Sequence, residues 1–345
     1  MNKTIGSYTI DTQKIDDLVN QKKIKKVFLQ IPEGLQQYTL IIKNWLEDSY
    51  DVTVIIDANP NYGACDIPSE NNLKELDIDA LIQIGHLPIP SMYAEKRSIP
   101  ILFLNAQSTL PLLPIVEQSL SALKGKRIGI ITTAQHLHHI DEIANFLQKE
   151  GFKPVIGKGS NRLYSLGQVL GCNFSSALSI TEEIDTFLFV GSGFFHPLGL
   201  LLATSKPVVI ADPYKHQILD TQIVQEKKQQ VLRQRYGAIT FAKQAKTIAV
   251  IIGLKPGQIR SGYALKLQQK IVNAGKACVI LAAETISPSY VDRFPFVDVF
   301  VSTACPRIAI DDYTAYKKPI LTPIELDVAL NEKEWDDYVF DEIVE

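Results

Sequence analysis

The sequence predicts an α/β protein of three similar domains, each a four-stranded, mainly parallel sheet flanked by helices, in a pseudo-threefold arrangement. Three observations carry this. Short runs rich in Val, Ile, Leu and Phe recur along the 345 residues, separated by lengths that fit a helix, which is the signature of parallel βαβ units. The runs number twelve and fall into three blocks of four. In each block the third run opens into a loop of small or polar residues: IGHLP at Ile84, VGSGFFHP at Val190 and VSTACP at Val301.

In chain order, the first block holds KVFLQ at Lys26, VTVII at Val52, ALIQI at Ala80 and PILFL at Pro100. The second holds RIGIIT at Arg127, KPVIG at Lys153, FLFV at Phe187 and PVVIA at Pro207. Ile218 to Ala242 then reads as an amphipathic helix with Ile223, Val224, Val231 and Leu232 on its apolar face, carrying the chain to the third block. That block holds TIAVIIG at Thr247, ACVILA at Ala277, VDVFV at Val297 and PILTP at Pro319. The expected domains are 1–108, 109–217 and 218–345, each burying its own core. Functional loops of parallel sheets collect at the carboxyl ends of strands, so three such edges can face one centre.

Composition narrows the function. The hydrophobic content of 46% is that of a globular chain, and the net charge of −3 is spread without long runs of either sign. No electrostatic footprint for nucleic acid is expected from this. The N-terminal MNKTIGSYTIDTQK has no apolar stretch of signal-peptide length, so a cytoplasmic protein is expected. The apolar stretch Phe187 to Ala203 is broken by Gly191, Gly193, His196 and Pro197, which suits strand, loop and helix start rather than a membrane span.

Four cysteines in a long chain of this kind are expected as free thiols or metal ligands, since cytosolic thiols stay reduced. Cys65 lies in DANPNYGACDIP, Cys172 in LGQVLGCNFSS and Cys305 in VSTACPRIAIDD, all loops and one per block. Cys278, inside ACVILA, reads as a small core hydrophobe. The spacing of the loop cysteines matches no compact motif, which excludes a zinc ribbon. Three thiolates could take zinc with a histidine from QHLHH at Gln135 to His139, or a 4Fe-4S cluster with one iron left open to a substrate, or remain plain thiols.

At these loops the chain resembles the diphthamide biosynthesis enzymes, radical 3-amino-3-carboxypropyl transferases. The resemblance runs the length of the chain through IPEGLQ at Ile31, YGACDI at Tyr62, IGHLPIP at Ile84, TTAQHLH at Thr132 and GQVLGCN at Gly167. It continues through GSGFFHPLGL at Gly191, ADPY at Ala211, QRYGAI at Gln234, GLKPGQ at Gly253 and STACPRIAIDD at Ser302. It implies a 4Fe-4S cluster on Cys65, Cys172 and Cys305, with S-adenosylmethionine as co-substrate. It also implies a histidine of translation elongation factor 2 as acceptor, release of 5'-methylthioadenosine, and an electron donor. Since one chain carries all three cysteines, it implies a self-sufficient homodimer of the archaeal type.

Other loop residues are candidates for the co-substrate. The turns after the first strands of blocks one and three, with Gly34, Gly257 and Gln258, could offer backbone N–H groups to a carboxylate or ribose, or be ordinary βα turns. Arg307 and Asp311 could bind its zwitterionic end or pair with each other. Asp212 and Tyr214 of the ADPY turn are open to the same two readings. His86, His136 and His196 follow strands and could touch cofactor or target protein, or be structural histidines. Two rivals stand beside this reading: a quinolinate-synthase-like 4Fe-4S dehydratase, and a non-catalytic zinc protein.

Overall fold

A computed structural model of the chain describes residues 2–21, 23–93 and 97–343. Two strands, β1 (Asn2–Ile5) and β2 (Tyr8–Asp11), form an antiparallel hairpin. Gly6 turns it at φ +57°, where an added Cβ would also strike the Tyr38 ring. There follow β3 (Lys26–Gln30), β4 (Thr53–Ile56), β5 (Ala80–Ile84) and β6 (Ile101–Leu104), a parallel sheet in the order β4-β3-β5-β6. Strand β7 (Ala106–Ser108) leaves its edge and pairs antiparallel with β2.

The second sheet takes β8 (Arg127–Thr132), β9 (Lys153–Val155), β10 (Thr186–Val190), β11 (Val208–Asp212) and β12 (Gln217–Leu219), in the order β12-β11-β10-β8-β9. Only β12 is antiparallel there. The third takes β13 (Thr247–Gly253), β14 (Ala277–Ala283), β15 (Val299–Ser302) and β16 (Ile320–Leu321), all parallel, in the order β14-β13-β15-β16. All twelve predicted runs are strands; β1, β2, β7 and β12 are additional.

One device recurs at the amino end of each sheet. Asp79, Asp185 and Asp298 directly precede the third strand of their block. Each carboxylate accepts two successive backbone N–H groups where the first strand begins. Lys25 and Lys26 donate to Asp79 at 2.8 Å each. Lys126 and Arg127 donate to Asp185 at 3.0 and 2.9 Å, and Lys246 and Thr247 donate to Asp298 at 2.9 Å each. These donors lie beyond the parallel ladder, so the carboxylate satisfies groups the sheet leaves open.

The linking helix runs Thr221–Gln244, three residues later than expected, because Gln217–Leu219 pair with β11 instead. Asp220 caps it, accepting from the N–H groups of Gln222 and Ile223 at 3.0 Å each. Val224 is buried and Val231 and Leu232 pack on the core, but Ile223 is exposed. Arg235 is the unexpected interior residue. Its guanidinium grips Glu325 at 2.7 and 2.6 Å and donates to the carbonyls of Ile320, at 2.7 Å, and Ala309.

The second and third units each keep a core cluster of their own and also share a further one. Phe187 and Phe189 of the second sheet share a continuous core with Phe300 of the third and with Phe340. The C-terminal segment explains the merger. Phe340 meets Phe174 edge-on at 5.4 Å, and Ile343 N–H donates to the Cys172 carbonyl at 2.8 Å. The first sheet is covered by separate clusters, one led by Val27 and Leu29 and the other by Phe28 and Leu81.

Candidate active site

Cys65 follows β4, Cys172 ends the long loop after β9, and Cys305 follows β15. The three therefore do not occupy equivalent places in the repeat, since Cys305 leaves a third strand and the others follow second strands. They nevertheless line one cavity of about 180 Å³, with His86, His196 and Arg307 in its wall. Cys278 lies apart on the edge strand β14, half-buried against the third sheet's core rather than within it.

Buried glutamines in otherwise apolar strands shape the Cys65 loop. Gln30 donates to the Asp66 carbonyl at 2.8 Å, and Gln83 donates to the Gly63 carbonyl at 3.3 Å and to Gln30 Oε1 at 3.0 Å. Gln258 spans two blocks. Its Nε2 donates to Cys65 Sγ at 3.5 Å while its Oε1 accepts the Cys305 N–H at 3.3 Å. Gly257 must be glycine because a Cβ there would collide with that of Cys65. Arg162, almost fully buried, donates to the Gly257 carbonyl at 3.5 Å and hydrogen-bonds Cys172.

Burial raises all three thiol pKa values. For Cys65 the Gln258 hydrogen bond works against the rise. Cys172 is pushed up to about 12, chiefly by burial and then by Cys65, with Arg162 opposing. Cys305 is raised by burial and then by Cys172 and Cys65. Three thiols that are costly to ionise beside one another suit a cationic guest that deprotonates them on binding. Among the described residues no three Cys, His, Asp or Glu side chains are grouped tightly enough to hold one metal ion. A single tetrahedral zinc would need thiolates about 3.8 Å apart, whereas a four-iron cube spreads its ligands over separate corners. The QHLHH histidines do not supply a fourth ligand: His136 faces a neighbouring cavity, His138 bonds the Ser108 carbonyl at 3.1 Å, and His139 bonds Glu142 at 2.8 Å. The donor set fits a 4Fe-4S cluster.

A larger cavity of about 500 Å³ adjoins the first, sharing Tyr62, Cys305 and Arg307 with it. Its wall carries Glu33, Lys255, Glu284, Asp311 and Asp312 beside the Tyr62 and Tyr316 rings. Arg307 and Asp311 do pair, at 3.2 Å, with Asp312 at 3.7 Å; they remain in the cavity wall while doing so. Arg307 also lies over the Tyr62 ring at 5.3 Å. Lys255 bonds Asp66 at 2.6 Å in a nearly buried pair. Gly34 belongs to neither of these cavities; it lines two others, one with His86 and one with His136.

His86, His136 and His196 are each lowered to about 4 by burial, so all three are neutral near pH 7. Asp212 builds its own turn, accepting from Tyr214 N–H at 2.9 Å, Lys215 N–H at 3.1 Å and the Ser192 hydroxyl at 2.9 Å. Sequence reasoning missed Arg162, the strand glutamines Gln30 and Gln83, and the C-terminal segment. Only the glutamines carried a signal, a polar residue inside a buried strand.

The sequence profile of the diphthamide synthesis protein family matches residues 31–339. The chain belongs to the diphthamide synthesis family. Within that family it is 36% identical over 322 residues to the 2-(3-amino-3-carboxypropyl)histidine synthase of Pyrococcus horikoshii, covering 93% of this chain and 89% of that one. It is 28% identical over 332 residues to subunit 1 of the mouse enzyme of the same name, covering 96% and 74%. The crystal structure of the Pyrococcus horikoshii family member with a 4Fe-4S cluster superposes with a TM-score of 0.85 and 32% identity, over all of this chain and 95% of that one.

Proposed function

We propose that this diphthamide synthesis family member performs the first step of diphthamide biosynthesis. It transfers the 3-amino-3-carboxypropyl group of S-adenosylmethionine to a histidine of translation elongation factor 2 and releases 5'-methylthioadenosine. The observation that carries the reading is the meeting of Cys65, Cys172 and Cys305, from three separate sheets, at one cavity. These three residues would hold the 4Fe-4S cluster. When bound, such a cluster supplies an electron and, with three protein ligands, one iron open to substrate.

The chain's own residues do the rest by position and charge. The cavity of about 500 Å³ takes the co-substrate. Arg307 meets its carboxylate, and Asp311 or Asp312 its ammonium group, while Tyr62 and Tyr316 offer faces to the adenine. Gly257 lets the turn after β13 press on Cys65, and Gln258, which also lines the co-substrate's cavity, holds the Cys65 and Cys305 loops in register. A homodimer in the cytoplasm, fed by a separate electron donor, and units divided near residues 108 and 217 complete the proposal. Among the described residues no helix is long and apolar enough to cross a membrane.

The test is anaerobic incubation of reduced, iron-reconstituted protein with carboxyl-labelled S-adenosylmethionine and purified elongation factor 2. Methylthioadenosine together with label on the factor is the expected result. Intact iron loading with neither product would overturn the reading.

A further inference from the structure

A third cavity, of about 410 Å³, also adjoins the cysteine cavity. It shares Thr133, Gln135 and His196 with the cysteine cavity's wall. Among its described lining residues there is no Lys, Arg, Asp or Glu. Its walls are rings. Tyr8 and Tyr214 stack at 6.5 Å, and His136 lies 5.7 Å from Tyr214 at 60°. His136 is almost fully buried, and its Nδ1 has no hydrogen-bond partner among the described residues. Gly34 and Ser192 are exposed, so the cavity can be reached from solvent.

A cavity of this kind excludes the zwitterionic co-substrate, whose two charges would go unpaired, and suits a flat, neutral ring. A neutral imidazole carries one N–H donor and one acceptor nitrogen, matches aromatic faces, and can satisfy a buried nitrogen that lacks a partner. Resting on the transferase reading above, we propose that this cavity receives the acceptor imidazole of the protein substrate, walled by Tyr8, His136 and Tyr214. Donor and acceptor then occupy separate cavities, each sharing wall residues with the cysteine cavity. His136 and His196, neutral through burial, add no charge to repel the incoming ring.

Filling the cavity tests this. A Cβ on Gly34 meets nothing within 4 Å, so Gly34→Trp can be accommodated at its own position while its ring occupies the space. Ser192→Trp fills it from another wall and covers the case in which the first variant fails to fold. Reconstituted variants are given labelled S-adenosylmethionine and elongation factor 2, and both methylthioadenosine and label on the factor are counted, beside iron content. The expected result is a fall in transfer of about a hundredfold with continued methylthioadenosine release, so that cleavage and transfer uncouple. Transfer at the wild-type rate in both variants would overturn the assignment. So would equal loss of cleavage and transfer at normal iron content, which would make this the co-substrate's cavity. Wild-type protein that releases no methylthioadenosine would instead sink the transferase reading, and the cavity's role with it.

Discussion

At the amino ends of the three parallel sheets, Asp79, Asp185 and Asp298 each satisfy two backbone donors. Toward the carboxyl ends of the first two sheets, buried polar atoms lack partners among the described residues: Asn61 Nδ2, Gln83 Oε1, His86 Nδ1 and His136 Nδ1. The same strands thus end in closed chemistry at one side and open chemistry at the other. A buried unpaired polar group costs about 1–3 kcal/mol, so such groups belong where a ligand can complete them. The difference teaches where to look for function in a repeated α/β chain: at the end whose hydrogen bonds do not close.

The comparison is broken most decisively at the carboxyl end. Replacing Cys65, Cys172 or Cys305 by Ala should reduce iron uptake on anaerobic reconstitution to background, with the circular dichroism spectrum retained. Cys278→Ala should load normally. Iron loss confined to the Cys278 variant would invert the assignment.

One carboxyl-end group is closed, and it sharpens the contrast. Glu325 receives Arg235 at 2.7 and 2.6 Å, Tyr338 at 3.1 Å and the Thr322 N–H at 2.8 Å. Arg235→Leu leaves this carboxylate buried and unpaired, at a cost of about 3–5 kcal/mol, measurable by urea unfolding. A change below about 1 kcal/mol would mean that water reaches the site.

A subtler effect is expected at Arg162, which carries positive charge beside Cys65 and Cys172. With the cluster bound, Arg162→Met should lower its reduction potential by on the order of 50 mV, and Arg162→Lys should restore part of the shift. An unchanged potential in Arg162→Met would remove the guanidinium from the cluster's surroundings.

The smallest effect belongs to the amino end. The Asp185 carboxyl is held below the usual range by Arg127, through side chain and backbone, and Asp298 by the N–H groups of Thr247 and Lys246. A depressed native pKa contributes stability above the ordinary carboxylate value near 4 and loses it as pH falls toward the native value. The melting temperature of Asp185→Asn should therefore lie slightly below wild type at pH 6, with the gap closing below pH 4. A constant gap across that range would show that the charge is irrelevant.

The strands were legible because Val, Ile and Leu runs such as TIAVIIG and ALIQI are long and apolar enough to announce burial. Strands β7 and β12 were not, being three-residue segments, AQS and QIL, too short to show a pattern and fixed by pairing with β2 and β11. The start of the linking helix was misplaced for the same reason, since pairing of Gln217–Leu219 with β11 overrides local periodicity. Placement of the three cysteines in loops gave the outline of the site. Arg162 gave no signal, because an arginine in a Ser- and Gly-rich loop reads as exposed until a distant turn, Gly257, closes over it. The Asp devices were visible in principle as Ile-Asp or Val-Asp before each third strand, a repeat too short to stand out from chance.

The hold of Ile343 and Glu342 on the Cys172 loop, through the Cys172 carbonyl and the Phe174 N–H, also orders events in time. A ribosome releases a chain from its first residue onward. Cys65 and Cys172 therefore emerge well before Cys305, and Cys305 before the segment that fastens the middle loop. Until that segment is made, the Cys172 loop lacks these two hydrogen bonds although all three thiols are already present. The cavity's wall is completed only once residues 342 and 343 have been made.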